Sequence, residues 1–395
     1  MYLLKGVIQP YAWGGHSYLQ NLLQVAENSG QPSAEYWLGV HPGGPSRVDL
    51  GEHASTGLTD LIRSEKGRYL GEKVNGLFGG LPYLLKILDV KSMLSIQVHP
   101  TLEEAIKGFE RENAAGIPLD AANRNYKDPN HKPEVMVALS DFWLLHGFNP
   151  ALKDTLQSMD IFHPLLPILD AQGLEGLYRH VMEMPQPEVD LMLAPLARRI
   201  VPEYEAGMLS RDAPDFWAAR ALTDAKPGFI NLDRGIFSIY FFNLLHLRPK
   251  QAIFQGAGIP HAYLEGQNVE LMSNSDNVLR AGLTPKHIDV PELMRHTKFV
   301  YVVPEIMEYE PSGFLSRYPC PVPDFSIDML ELKADDAFSL QGDGPEIWLQ
   351  LSGRTDWSGY RSLPCTRGGA VFVLPGEPVT ITAQETSVLF RAYVP

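Results

Sequence analysis

Cysteine is almost missing from this chain. The two present, Cys320 and Cys365, form no C-x-x-C and cannot make a disulfide framework. That fits a reducing cytosol, and a cytoplasmic protein is expected. Positive charge is also short. Lys and Arg number 33 against 47 Asp and Glu, for a net charge of −14. Such an acidic chain is a poor partner for nucleic acid or an anionic membrane. An anionic substrate would need positive charge gathered at its site. Long apolar runs are missing too. The best candidates are broken by Lys86 and by His246 and Arg248, so no membrane span is expected. The opening MYLLKGVIQPYAWGG has no charged segment leading into a long apolar core, so no signal peptide is expected. No histidine follows His296. A His-based metal centre therefore belongs before that point, and the last region reads as a structural β domain.

What is present is punctuation: 34 Gly and 32 Pro in 395 residues. A chain of this length exceeds one compact core, so two or three domains are expected. Short β-rich runs fill three regions, 33–145, 236–303 and 325–395, with turn signals between them. That pattern predicts sandwiches or barrels, a mainly β fold. The stretch 150–228 differs. Val189, Met192, Leu193, Leu196 and Ile200 recur at helical spacing, although Pro195 should kink or restart that helix. The segment 101–116 also reads as helix, with Thr101 as N-cap and Glu104 at the capping-box position. The expected division is a β domain of 1–149 plus 229–310, a helical insertion of 150–228, and a C-terminal β domain of 311–395.

Four stretches carry chemistry. In SIQVHP, residues 95–100, strand alternation points Gln97 and His99 the same way. They are a hydrogen-bonded core pair or half of a metal site. In NYKDPNHKPEVMVAL, residues 125–139, Glu134 opens a strand and can turn inward, with His131 and Lys132 just before it. A solvated turn with a salt bridge would look the same. In GAGIPHAYLEG, residues 256–266, Pro260 fixes the backbone and His261 opens a strand. The G-x-G there lacks the third glycine of a dinucleotide fingerprint. In NVELMSNSDNVLRAGLTPK, residues 268–286, Glu270, Arg280 and Lys286 bracket a polar turn. Its Ser275-Asp276-Asn277 is not a β-lactamase element, because S-x-x-K occurs nowhere in the chain.

Taken in this order and spacing, QVHP, DPNHKPE, PHAYLEG and SNSDNVLRAGLTPK resemble the type I phosphomannose isomerases. So do PYAWGG, AEYWLGVHPGGPS and LPYLLKILDVKSMLSIQVHP. The resemblance runs from residue 10 to about residue 290. It implies cupin-type jelly-roll domains with an inserted α-helical domain. It implies one zinc held by Gln97, His99, Glu134 and His261. With Glu134 the only anionic ligand, such a centre would keep a net charge of about +1, suited to an anionic sugar phosphate and an enediolate. The implied reaction interconverts mannose 6-phosphate and fructose 6-phosphate through a cis-enediol.

Arg280 matches the family's catalytic arginine, and a guanidinium suits enediolate stabilisation better than proton abstraction. Glu270 is the first choice of base, since shielding from water would raise its pKa; Lys132 and His131 are rivals. Lys286, Lys86 and Ser95 are expected at the phosphate, with Trp13 and Tyr263 as pocket walls. The sequence departs from the family at Lys250-Gln251, where Gly-Glu is usual, and after the histidine-proline pair in QVHPTLEEA. Other readings are an isomerase of another aldose phosphate, a non-catalytic sugar-phosphate binder, and an iron oxygenase. Gln97 and the basic surroundings argue against the last. The expected partner is a small sugar phosphate, with no nucleic acid or membrane, and the chain is expected to be a monomer.

Overall fold

The computed structural model describes residues 1–25, 30–51, 54–224 and 230–395. Strands take up 33% of the chain and helices 30%, so the helices weigh more than a mainly β description suggests. Two large antiparallel sheets dominate, one of ten strands and one of nine, with a separate four-stranded sheet formed by C-terminal segments. Among the described residues no helix is long and apolar enough to cross a membrane.

The ten-stranded sheet carries the chemistry. Its central strands are Glu35–Gly39, Tyr83–Val90 and His261–Ser273, with Glu134–Ala138 alongside. Each is buried on both faces, which is why Tyr83–Val90 reads as a nearly continuous apolar run rather than a polar alternation. Period-two geometry still sorts the side chains. Tyr36, Leu38, Leu85, Ile87, Val135, Val137, Val269 and Leu271 enter the core shared with the nine-stranded sheet. Ile327, Met329, Ile347, Leu349, Phe372 and Phe390 meet them from the other side. The intervening positions, Glu35, Trp37, Lys86, Glu134 and Glu270, must then face the opposite way, into the sheet's concave side.

The sheets are not built from separate stretches of sequence. Tyr2–Lys5 pairs with Ala370–Val373, and Arg47–Gly51 pairs with Tyr2–Lys5. Tyr2–Lys5 and Arg47–Gly51 therefore belong to the sheet made largely by the C-terminal region, although the expected division put them with residues 1–149. Helices run from Leu152 to Phe241. The expected edge at 228–229 lies outside the described residues. Gln186–Glu205 is one helix that does not restart at Pro195. A helix-interior proline costs about 3 kcal/mol, but Val189, Leu193, Leu196 and Ile200 anchor both sides of it in the insertion core. Thr101 caps Leu102–Ala114 as expected, its Oγ1 accepting the Glu104 N–H at 3.3 Å.

Lys250 stands in the left-handed region, with φ of 76°. That explains why the sequence departure there matters: the turn suits glycine. Its ammonium is held by Glu331 at 2.8 Å and lies 4.3 Å from the Tyr309 ring centroid.

Phe390 is fully buried between the two large sheets. Phe390→Ala should cost about 3–5 kcal/mol, read as a lower denaturant midpoint. A loss below about 1 kcal/mol would mean that the sheets do not share one core there.

Candidate metal centre and active site

His99, Glu134 and His261 converge. Their candidate ligand atoms lie within 4.8 Å of one another, and all three residues are buried. Strand register brings them together. His261 is paired with Gln97, and Met272, on the same long strand as His261, with Glu134. His99 Nε2 is 3.5 Å from Glu134 Oε1, and His261 Nε2 is 3.3 Å from Glu134 Oε2.

Tautomers decide what these contacts mean. His99 Nδ1 lies 2.9 Å from the Asn277 carbonyl, and His261 Nδ1 lies 2.9 Å from the Ile259 carbonyl. A carbonyl can only accept, so each Nδ1 carries the hydrogen. Burial, with help from Lys132, pushes His99 down to about 4, so at neutral pH its Nε2 presents a bare lone pair. Both Nε2 atoms are buried and lack a hydrogen-bond partner. Two lone pairs and a carboxylate aimed at one point repel unless a cation sits between them. The donor set of two nitrogens and an oxygen suits zinc, and the backbone bonds at Nδ1 are the usual outer support for such ligands. Gln97, half-buried on the paired strand, can add a fourth oxygen.

Around this point sits a charged recess of about 50 Å³, lined by Glu35, Lys86, Gln97, Lys132, Glu134, His261, Tyr263 and Glu270. Lys132 Nζ is 3.0 Å from Glu134 Oε1. Burial acts to raise the Glu134 carboxyl, but its neighbours, Lys132 first among them, outweigh it and hold it well below the usual range. Lys86 lies between two carboxylates, 3.3 Å from Glu35 and 3.1 Å from Glu270, with the Trp37 ring centroid 5.2 Å away. Burial acts to lower Lys86, but Glu35, Glu270 and Glu134 prevail and raise it. Glu270 is raised by burial despite Lys86, and accepts a 2.9 Å hydrogen bond from the Tyr263 hydroxyl.

The recess opens into a cleft of about 640 Å³. Arg280 lies there because Leu279–Arg280 pairs with Gln97–Val98, placing it opposite Gln97. Trp13, Ser95, Lys127 and Lys286 share the wall. Among the described residues Arg280 and Lys286 make no ion pair, whereas Lys86 and Lys132 do. The rival base His131 is elsewhere: its Nε2 lies 3.0 Å from Asp324.

Glu35, Trp37, Lys127 and Asp276 also line this space and were not singled out in the sequence. One signal was available for the first two. Glu35 and Trp37 are two apart in an apolar strand, so they share a face.

A family model described as phosphomannose isomerase type I, catalytic domain, matches residues 1–151. Mannose-6-phosphate isomerase of Escherichia coli (strain K12) is 37% identical over 390 residues, covering 96% of this chain and 97% of that protein. The chain belongs to the mannose-6-phosphate isomerase family. The Homo sapiens member is 34% identical and covers 98% of this chain and 97% of its own length. Among solved structures of the family, a mutant of the Salmonella typhimurium phosphomannose isomerase superposes with a TM-score of 0.89 at 34% identity. The Salmonella typhimurium enzyme bound to fructose 6-phosphate and zinc gives 0.84 at 35%. Both cover 100% of this chain and 99% of the other.

Glu134→Gln removes the only anion between the two imidazoles. Zinc affinity should fall by more than the roughly 10–100-fold typical of outer-sphere partners, measured by competition with a chromophoric chelator. Unchanged affinity would place the metal elsewhere.

Proposed function

We propose that this chain is a zinc-dependent aldose-ketose isomerase that interconverts mannose 6-phosphate and fructose 6-phosphate through a cis-enediol. The observation that carries this is the pairing of two environments in one cleft. Its floor directs two unprotonated imidazole nitrogens and a carboxylate at one point. Its mouth holds the Arg280 guanidinium and the Lys286 ammonium, which make no ion pair among the described residues. Zinc held by Gln97, His99, Glu134 and His261 would supply Lewis-acid polarisation of the sugar oxygens.

The chain's own residues divide the remaining work. Glu270 takes the proton from C2 and returns it to C1; its buried, raised carboxyl supports that role. The Tyr263 hydroxyl and the Lys86 ammonium fix its orientation. Lys86, expected at the phosphate, is better read as a partner of Glu270, since two carboxylates already satisfy it. Lys132, which lines both the recess and the cleft, hands a proton to a sugar oxygen. Arg280 bridges the enediolate oxygens as a permanent cation. Lys286 and Ser95, with Lys127, grip the phosphate at the mouth, and Trp13 walls it.

The antiparallel sheets closing over an inner charged face support a cupin-type jelly roll. In that reading residues 1–149 plus 229–310 form the catalytic domain, except that Tyr2–Lys5 and Arg47–Gly51 complete the sheet of the C-terminal region, with 150–228 a helical insertion and 311–395 a second cupin-like domain. A cytoplasmic monomer belongs to the same reading, supported by two unbridged cysteines and the acidic composition.

A coupled assay of mannose 6-phosphate conversion tests the proposal. Activity should vanish with a chelator and return with zinc. Inactivity of folded, zinc-loaded protein would overturn it. Arg280→Ala should lower kcat by about 10²–10³, with Arg280→Lys restoring little of it.

The pH profile gives a second check. A base works only when ionised, so activity is lost as pH falls through the Glu270 pKa. The Lys86 charge lowers that pKa. In Lys86→Met the acid limb of kcat should therefore move to higher pH. No movement, or movement to lower pH, would assign the limb to another group.

A further inference from the structure

We infer that Asn277 is a positioning residue for the metal centre, holding the His99 ligand and the loop that delivers Lys132 and Glu134 in one register. The inference rests on the metal reading above. Asn277 is 1% exposed, and its side chain is fully committed to hydrogen bonds. Its Oδ1 accepts the backbone N–H groups of Lys127 at 2.7 Å and Asp128 at 3.3 Å. Its Nδ2 donates to the carbonyls of Asp128 at 2.7 Å and Asn130 at 2.8 Å, with the Asp128 carboxylate at 3.3 Å. The amide thus replaces the strand partners that the irregular segment 127–130 lacks, satisfying backbone groups that would otherwise be stranded in a partly buried loop.

The same residue faces the metal through its backbone. Its carbonyl is the acceptor that fixes the His99 tautomer. Residue 277 also leads directly into Leu279–Arg280, which pairs with the Gln97 strand. One residue therefore ties together three segments: its side chain holds the one that leads to Glu134, its carbonyl holds His99, and its backbone continues into the one that carries Arg280. A side chain that only filled space would not need all of its donors and acceptors aimed at one loop. Only an amide offers both an acceptor for two N–H groups and donors for two carbonyls at this length. A carboxylate of the same shape keeps the first set and turns the second into a repulsion, which Asp128 would worsen.

The test uses the full zinc-loaded chain and the variants Asn277→Asp and Asn277→Ser. The latter shortens the side chain and leaves the backbone carbonyl in place. Zinc affinity is read by chelator competition, folding by circular dichroism and thermal midpoint, and kcat and KM with zinc in saturating excess. In both variants zinc affinity should fall by about 10–100-fold. In Asn277→Asp kcat should fall more than KM rises, because Arg280 and Lys132 lose their relative placement while the exposed Lys286 does not. A lower midpoint with unchanged zinc affinity and kcat in the folded protein would make Asn277 merely structural and overturn the inference. If Asn277→Asp fails to fold, Asn277→Ser decides alone on zinc affinity. If the wild-type protein binds zinc but does not turn over mannose 6-phosphate, the isomerase reading fails. The affinity comparison still judges Asn277.

Discussion

The structure depends on balancing charge where water cannot reach. Strand alternation sends Glu35, Lys86, Glu134 and Glu270 to one inner face, and the loop before Glu134 adds Lys132. These groups are 4–11% exposed at the side chain, too little for solvent to screen them. An unpaired buried charge is costly enough to unfold a local region or change its protonation. The network avoids this by interleaving: Glu35, Lys86 and Glu270 form one run, and Lys132 and Glu134 another. Three carboxylates face two ammonium groups, so one negative charge is left over. The two imidazoles beside it aim their Nε2 atoms at the same point, each with its Nδ1 spent on a backbone carbonyl. A divalent cation resolves both imbalances at once and turns the surplus positive by one. The same bookkeeping that lets the sheet bury these groups leaves the recess suited to an anion once the metal is present.

The cleft continues that gradient outward. Its floor carries carboxylates tied to lysines, and its wall carries Arg280 and Lys286, which make no ion pair among the described residues. Burial and its neighbour Arg280 make Lys286 readier than usual to give up its proton. A chain of net charge −14 thus concentrates positive field at one opening, where long-range steering of a phosphate would act.

How much of this could be read beforehand follows from the range of each interaction. Gln97 and His99 share a face by strand periodicity alone, and Glu134 and His261 each open a strand after a proline-bearing turn. The local sequence shows these things, and the family resemblance joined them. The role of Lys86 was not legible, because it depends on Glu35 and Glu270 lying on neighbouring strands in one register. His131 looked like a rival base only while Asp324, far along the chain, was not known to hold it. The sharing of Tyr2–Lys5 with the C-terminal sheet is likewise a pairing across almost the whole chain, and no local pattern encodes it. Pro195 misled for the opposite reason: a strong local rule gave way to packing on both sides of it.

Register also suggests why an amide occupies position 97. Gln97 pairs with His261 on one side and Arg280 on the other, so it stands between a candidate metal ligand and the guanidinium. A glutamate there could ligate zinc at least as well. It would also bring the recess back to neutrality, and it would sit across from Arg280 much as Glu270 sits across from Lys86. Lys86 shows the result in this same sheet: a cation paired to its register partner is satisfied and no longer available. The amide oxygen can serve the metal without claiming the arginine. In the proposed site a weaker ligand at one corner is thus the condition for a free cation at the next.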